Sequence, residues 1–106
     1  MSNENLILIE GERSKKVFTR IQEMVKTFPT SSPKLVETGL QVLSLMCVGP
    51  KKELVEKNSD FLGVIEDILG RIEEVSCLDQ KLDFLRVLKR HLDYPPPPSE
   101  TLWNLF

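Results

Sequence analysis

The sequence has few of the residues on which catalytic and metal sites depend. It contains one histidine, His91, and two cysteines far apart in the chain, Cys47 and Cys77, and this set does not supply the ligands of a standard zinc site. His91 falls at the edge of an apolar helix face, which favours a partly buried structural side chain over a catalytic one. The phosphate-binding glycine motifs G-x-x-x-x-G-K-[ST] and G-x-G-x-x-G are also absent from the sequence. We therefore predict that the protein is not an enzyme and uses no metal or cofactor.

A strong net charge is missing as well. The 14 Lys and Arg side chains stand against 16 Asp and Glu, which gives a formal net charge of −2. Without a global positive field, nucleic-acid binding is disfavoured, although a local basic patch remains compatible with it.

Long hydrophobic segments are also lacking. The apolar runs are much shorter than the ~18–20 residues that a membrane span needs, and no signal peptide is recognisable. We therefore expect no membrane association and a cytoplasmic or nuclear location. In that setting Cys47 and Cys77 are expected to be reduced, partly buried thiols rather than a disulfide.

The most apolar stretch of the chain is the segment 33–48, PKLVETGLQVLSLMCV. Most of its apolar residues cover an arc of about 160° on a helical wheel, and Leu45 and Val48 add apolar surface outside it, which predicts a central helix that packs against several neighbours. Ser32 is expected to cap the start of this helix, and Gly49-Pro50 to end it. Gly39 lies inside the apolar arc, where a neighbouring helix can approach closely.

Four other segments have helical patterns. One-sided apolar spacing predicts long helices at Lys15–Phe28, with Ser14 as the N-cap, at Asp60–Val75 and at Cys77–Asp93. A short helix is predicted within Pro50–Lys57. The predicted fold class is therefore all-α, a compact bundle of four main helices plus one short helix.

The helical domain is predicted to span residues 14–94, preceded by an extended N-terminal arm at 1–13. The arm carries four consecutive branched apolar residues: Leu6, Ile7, Leu8 and Ile9. We expect them to pack on the domain or to lead into the first helix. The alternative is that they bind a partner, by adding a strand to a sheet edge or by swapping between subunits.

Residues 95–106 begin with four prolines, which are expected to form a stiff polyproline II spacer. The hydrophobic tail that follows carries four large apolar side chains: Leu102, Trp103, Leu105 and Phe106. Tryptophan is a preferred anchor at protein interfaces. The tail is therefore expected to dock either on its own domain or in a partner's groove, unless it begins the next helix of a longer chain.

Two glycines, Gly63 and Gly70, share the polar side of the third long helix, within about 20° of each other. Each costs the helix roughly 0.8–1 kcal/mol relative to alanine. Either the core tolerates this cost, or the glycines form a bare stripe where another chain approaches closely.

The first helix carries a basic face opposite its apolar one, formed by Lys15, Lys16, Arg20 and Lys26. Such a face is most simply a solvated surface. Its side chains are also candidates for contacts with phosphates or with an acidic partner, including the Glu66 and Asp67 face of another copy. No glycine loop or aromatic platform accompanies them, so the nucleic-acid interpretation is the weaker one.

A short pattern, L-x-V-[L/I], occurs three times, at Leu40–Leu43, Leu62–Ile65 and Leu85–Leu88, with starts 22 and 23 residues apart. Alternate copies therefore match the ~40–47-residue period of helical-pair solenoids. The segment from Lys34 to Arg71, with its apolar helix, Gly-Pro break, short turn and second apolar helix, resembles an armadillo or HEAT-type repeat. The resemblance implies a protein-binding surface made by stacked helices, and no catalysis. The chain is shorter than the three or more repeats usual in such proteins, so an ordinary bundle stays open as the alternative.

These observations predict a protein–protein interaction module, an adaptor or a subunit of a larger assembly, with other proteins or a second copy of itself as partner. The predicted contacts are the N-terminal arm, the two glycines and the hydrophobic tail. The alternative is a helical nucleic-acid-associated module that uses the basic face of the first helix.

Overall fold

The computed structural model describes residues 11–93, which form five helices. These are α1 (Glu12–Lys26), α2 (Pro33–Val48), α3 (Lys52–Lys57), α4 (Ser59–Glu74) and α5 (Leu78–Asp93). None of the described residues belongs to a strand. The predicted all-α fold, with four main helices and one short one, is confirmed. The predicted N-terminal arm and C-terminal tail lie outside the described residues, except for the last positions of the arm.

The start of α1 differs from the prediction. Gly11, with a φ of 96° that favours glycine, occupies the capping position, and the helix begins at Glu12. Ser14, predicted as the N-cap, lies inside the helix and is buried. Its hydroxyl donates a hydrogen bond to the backbone carbonyl oxygen of Val55 in α3, at 2.7 Å. The prediction failed because a serine near a helix start satisfies its hydroxyl equally well at a cap or across a tertiary contact, and the sequence does not distinguish the two.

The other helices begin and end close to their predicted bounds, and α2 matches its predicted bounds at both ends. Ser32 occupies the capping position of α2, but its side chain makes no capping hydrogen bond, contrary to the prediction. The α4 helix begins after Asn58, whose side-chain oxygen accepts a hydrogen bond from the Phe61 N–H at 2.9 Å. This is the ordinary capping chemistry of asparagine, which satisfies one of the unpaired N–H groups of the first turn.

The long helices form two antiparallel pairs that stack on each other. One pair is α4 and α5, where Lys81 near the start of α5 donates a hydrogen bond to the Ile72 carbonyl near the end of α4. Helix α2 packs extensively on α5. Lys51, just after the end of α2, donates a hydrogen bond to the His91 carbonyl near the end of α5. Helices α2 and α5 therefore run in the same direction. Helices α1 and α4 also run in the same direction, since Arg13 and Arg20 of α1 pair in order with Glu66 and Glu73 of α4. Helix α1 is therefore antiparallel to α2. The core lies where the four helices meet.

Gly39 allows α1 to approach α2 closely. It is buried, and a Cβ at this position would lie 2.5 Å from Cγ2 of Val25 in α1. Carbon atoms pack favourably at about 3.5–4.0 Å, so any larger residue forces the two helices apart or displaces Val25. The close approach expected at Gly39 is confirmed, and the neighbour is the first helix.

The three copies of L-x-V-[L/I] do not present the same face to the core. In α4 and α5 the outer residues of the pattern are buried, while the central valines, Val64 and Val87, are 44% and 46% exposed. In α2 the orientation is reversed, since Val42 is fully buried and Leu40 is 52% exposed. The pattern therefore occurs in three apolar helices, but its corresponding residues are not buried alike in all three. The armadillo or HEAT resemblance stays a prediction.

Candidate interaction surfaces

The basic face of α1 is partly neutralised by α4. Arg13 donates two hydrogen bonds to the carboxylate of Glu66, at 2.8 and 2.6 Å, and Arg20 lies 2.5 Å from the carboxylate of Glu73. Arg20 lies two helical turns beyond Arg13, and Glu73 lies two turns beyond Glu66. The two ion pairs therefore form a ladder between two parallel helices. The bonds from Arg13 hold the pKa of the Glu66 carboxyl below its usual range. Exposed pairs of this kind add little stability, but their order along both helices shows that α1 and α4 run in the same direction.

This ladder changes the interpretation of both charged faces. Glu66 was predicted as a contact for the basic helix of another copy, but it already binds Arg13 of the same chain. Arg13 was missed because the predicted first helix began after it. Among the four predicted basic residues, Arg20 pairs with Glu73, and Lys26 lies 3.3 Å from Glu23. Within residues 11–93, Lys15 and Lys16 have no ion-pair partner, and both are exposed.

The two glycines of α4 have different surroundings. A Cβ at Gly63 would lie 3.8 Å from the Arg13 guanidinium, whereas a Cβ at Gly70 would meet no atom within 4 Å. Gly63 is therefore partly covered by a side chain of α1, and the open part of the predicted stripe is at Gly70. Whether a partner binds there stays a prediction.

An aromatic pair joins the start of α4 to the end of α5. The rings of Phe61 and His91 are stacked, with centroids 4.2 Å apart and planes inclined by 17°. Burial, and next the charge of Lys51, lower the pKa of His91, so its ring is neutral near pH 7. Its buried Nε2 has no hydrogen-bond partner among the described residues. The predicted structural role of this histidine accords with such a stacked position.

An apolar seam extends from this pair along one side of α4 and α5. We call it the α4–α5 seam, and its residues are Phe61, Val64, Ile68, Phe84, Val87 and His91. The two valines are about half exposed, and the other four are partly buried. Both valines belong to apolar helix patterns, and a helical wheel does not show which part of a wide apolar arc the neighbouring helices cover.

A second apolar surface lies on the outer side of α2, which we call the α2 strip. It consists of Val36, Leu40, Leu43 and Cys47, which recur every three or four residues and so share one side of the helix. Leu40 is exposed and the other three are half-buried. No disulfide joins Cys47 to Cys77, and Cys77 is exposed rather than partly buried as predicted. Cys77 lies in the short connection between α4 and α5.

The described residues hold few groups suited to catalysis or metal binding. In residues 11–93 no three His, Cys, Asp or Glu side chains come together as metal ligands would. A groove of about 400 Å³ between α1 and the α4–α5 pair is lined by charged side chains that include Arg20, Glu73 and Lys81. Arg20 and Glu73 pair with each other in this groove, and Lys81 donates a hydrogen bond to the Ile72 carbonyl. None of the described helices is long and apolar enough to cross a membrane.

The remaining predicted contacts lie outside the described residues. They are Leu6, Ile7, Leu8 and Ile9 of the arm, and Leu102, Trp103, Leu105 and Phe106 of the tail. No protein-family model, curated protein or solved structure matches this chain.

Proposed function

We propose that this protein is a protein–protein interaction module, an adaptor or a subunit of a larger assembly, that acts in the cytoplasm or nucleus. The observation that carries the proposal is the α2 strip, where Leu40 leaves 52% of its surface exposed beside the half-buried Val36 and Leu43. A single exposed leucine is ordinary on a protein surface. Several apolar residues at helical spacing form instead the kind of seam along which helices pack.

The shape of the α2 strip suits an amphipathic helix from a partner. From Val36 to Cys47 the strip is about 16 Å long at about 1.5 Å per residue, or three helical turns. A partner helix with apolar residues at the same spacing would lie along it as helices lie in hydrophobic grooves. Covering the exposed half of Leu40 contributes roughly 1 kcal/mol, so the partner must also contact the residues around the strip, such as the exposed Val48.

The arrangement of the helices is in keeping with this proposal. Two stacked antiparallel pairs offer outer helix faces that no third pair covers within residues 11–93. In proteins of the type that the sequence resembles, each helical pair buries its apolar faces against its neighbours and the stack supplies the binding surface. The glycine at position 70 and the N-terminal arm remain further candidate contacts.

Two variants of α2 test the proposal. Leu40→Asp places a charge in the centre of the strip, whereas Gln41→Asp adds the same charge at an exposed neighbour about 100° around the helix. Light scattering over a range of concentrations measures self-association, and capture from lysate with quantitative mass spectrometry measures partner binding. We expect Leu40→Asp to weaken at least one of these associations tenfold or more, and Gln41→Asp to leave it unchanged.

Both variants should retain the helical circular dichroism of the parent chain, because both positions are exposed. Equal association for the parent and both variants would remove the α2 strip as a binding surface. If the parent chain is monomeric and no captured protein distinguishes Leu40→Asp from Gln41→Asp, the proposed function is wrong for this part of the molecule.

A further inference from the structure

The α4–α5 seam is an apolar surface that no other described helix covers. Its central valines, Val64 and Val87, are 44% and 46% exposed. Since α4 and α5 are antiparallel, the stacked pair Phe61 and His91 lies at one end of the seam and Ile68 and Phe84 at the other. The distance along α5 from His91 to Phe84 is about 10 Å. The seam is therefore long enough to hold a few large side chains, but not a long helix.

The chain itself brings a matching segment to this surface. Helix α5 ends at Asp93, two residues after His91, so residues 94–106 begin at the end of the seam marked by the Phe61–His91 pair. Four large apolar side chains occur in the last five of these residues, and Glu100 has the one charged side chain of the segment. Docking this segment on an apolar surface would remove little charge from water.

The length of the segment allows it to turn back along the seam. The sequence at 95–98 disfavours continuation of α5, because proline lacks the N–H and clashes with the preceding turn of a helix. Leu102 is nine residues beyond Asp93, a maximum span of about 30 Å, whereas Phe84 at the far end of the seam is about 14 Å back along α5. The segment can therefore reach every part of the seam with chain to spare.

We infer that the tail, residues 99–106, docks on the α4–α5 seam of its own chain and covers Val64 and Val87 with Trp103 and its apolar neighbours. A tethered segment has an effective concentration in the millimolar range. The tail therefore stays mostly bound if the apolar contact on its own has a dissociation constant below that range. A second protein that binds this seam must displace the tail. This inference is separate from the proposed function, which uses the α2 strip.

The single tryptophan makes the inference directly testable. Trp103 is the only tryptophan in the chain, so the intrinsic fluorescence of the intact protein reports on the tail without a label. We expect blue-shifted emission and slow acrylamide quenching in the parent chain, both independent of protein concentration. Val64→Asp and Val87→Asp should shift the emission to the red and increase the quenching constant severalfold, while Gln41→Asp, at an exposed position of α2, should change neither.

Three results would overturn the inference. The first is water-exposed emission in the parent chain, a result that does not depend on any variant folding correctly. The second is unchanged fluorescence in both Val64→Asp and Val87→Asp, with circular dichroism showing that their helices are intact. The third is protection of Trp103 that disappears on dilution, which would assign the seam to the tail of a second copy instead.

Discussion

Replacing Gly39 with alanine should lower the free energy of unfolding, although the same change elsewhere in these helices should raise it. In a helix interior, alanine is favoured over glycine by roughly 0.8–1 kcal/mol. At Gly39 the new Cβ would lie 2.5 Å from Cγ2 of Val25, about 1 Å inside the favourable carbon–carbon separation. Overpacking of this kind costs about 1–3 kcal/mol. The expected net loss is therefore as much as about 2 kcal/mol.

Gly70→Ala is the matched control, because a Cβ there would meet no atom within 4 Å. It should raise the free energy of unfolding by the full propensity gain, roughly 0.8–1 kcal/mol. Both changes can be measured by urea unfolding followed by circular dichroism. In a domain of this size, a change of about 1 kcal/mol corresponds to a shift in Tm of about 4–8 °C, which is easily resolved.

A double-mutant cycle identifies the contact responsible. Val25→Ala removes Cγ2, so Gly39→Ala made in that background should no longer destabilise and should approach the gain of Gly70→Ala. The expected coupling energy between the two sites is about 1–3 kcal/mol. If Gly39→Ala stabilises the parent chain as much as Gly70→Ala does, the close approach of α1 to α2 at this position is wrong.

Three further predictions concern single groups in the structure. Burial lowers the pKa of His91 in the folded state, so the unfolded chain takes up a proton first as the pH falls below about 6.5. The free energy of unfolding should therefore fall from pH 7.5 to 5.5. In urea titrations, His91→Phe should reduce that fall. Ser14→Ala leaves the buried Val55 carbonyl without its hydroxyl donor and should cost about 1–3 kcal/mol, and an unchanged urea midpoint would contradict this role. Lys15 and Lys16 should give no salt-sensitive binding to DNA or RNA; such binding in the parent chain, lost when both become Glu, would favour the nucleic-acid alternative.

Much of the fold could be predicted from local sequence signals. The α2 helix was predicted at both ends because a proline at its start and a Gly-Pro pair at its end act on the backbone directly, whatever the tertiary context. The close approach at Gly39 was also predictable, since a glycine within an apolar arc has no other evident use. The start of α1 was not, because Ser14 fits a cap and a buried contact equally well.

The candidate surfaces were harder to predict. Leu40, Val64 and Val87 all lie in apolar patterns that periodicity assigns to the core, and all are exposed. A wide apolar arc exceeds what one or two neighbours can cover, and which part stays exposed depends on how helices cross. The Arg13–Glu66 pair was missed for a related reason, since its members are 53 residues apart and only the packing of α1 on α4 brings them together.

The sequence by itself determined the class of the protein, the number of helices and most of their ends, because these depend on propensities, caps and periodicity within a few residues. It also limited the chemistry, with one histidine and two cysteines. Only the tertiary structure decided which apolar residues became core and which became the α2 strip and the α4–α5 seam. Burial is a property of neighbouring helices rather than of one helix, and the surfaces proposed here for binding are the ones that those neighbours leave uncovered.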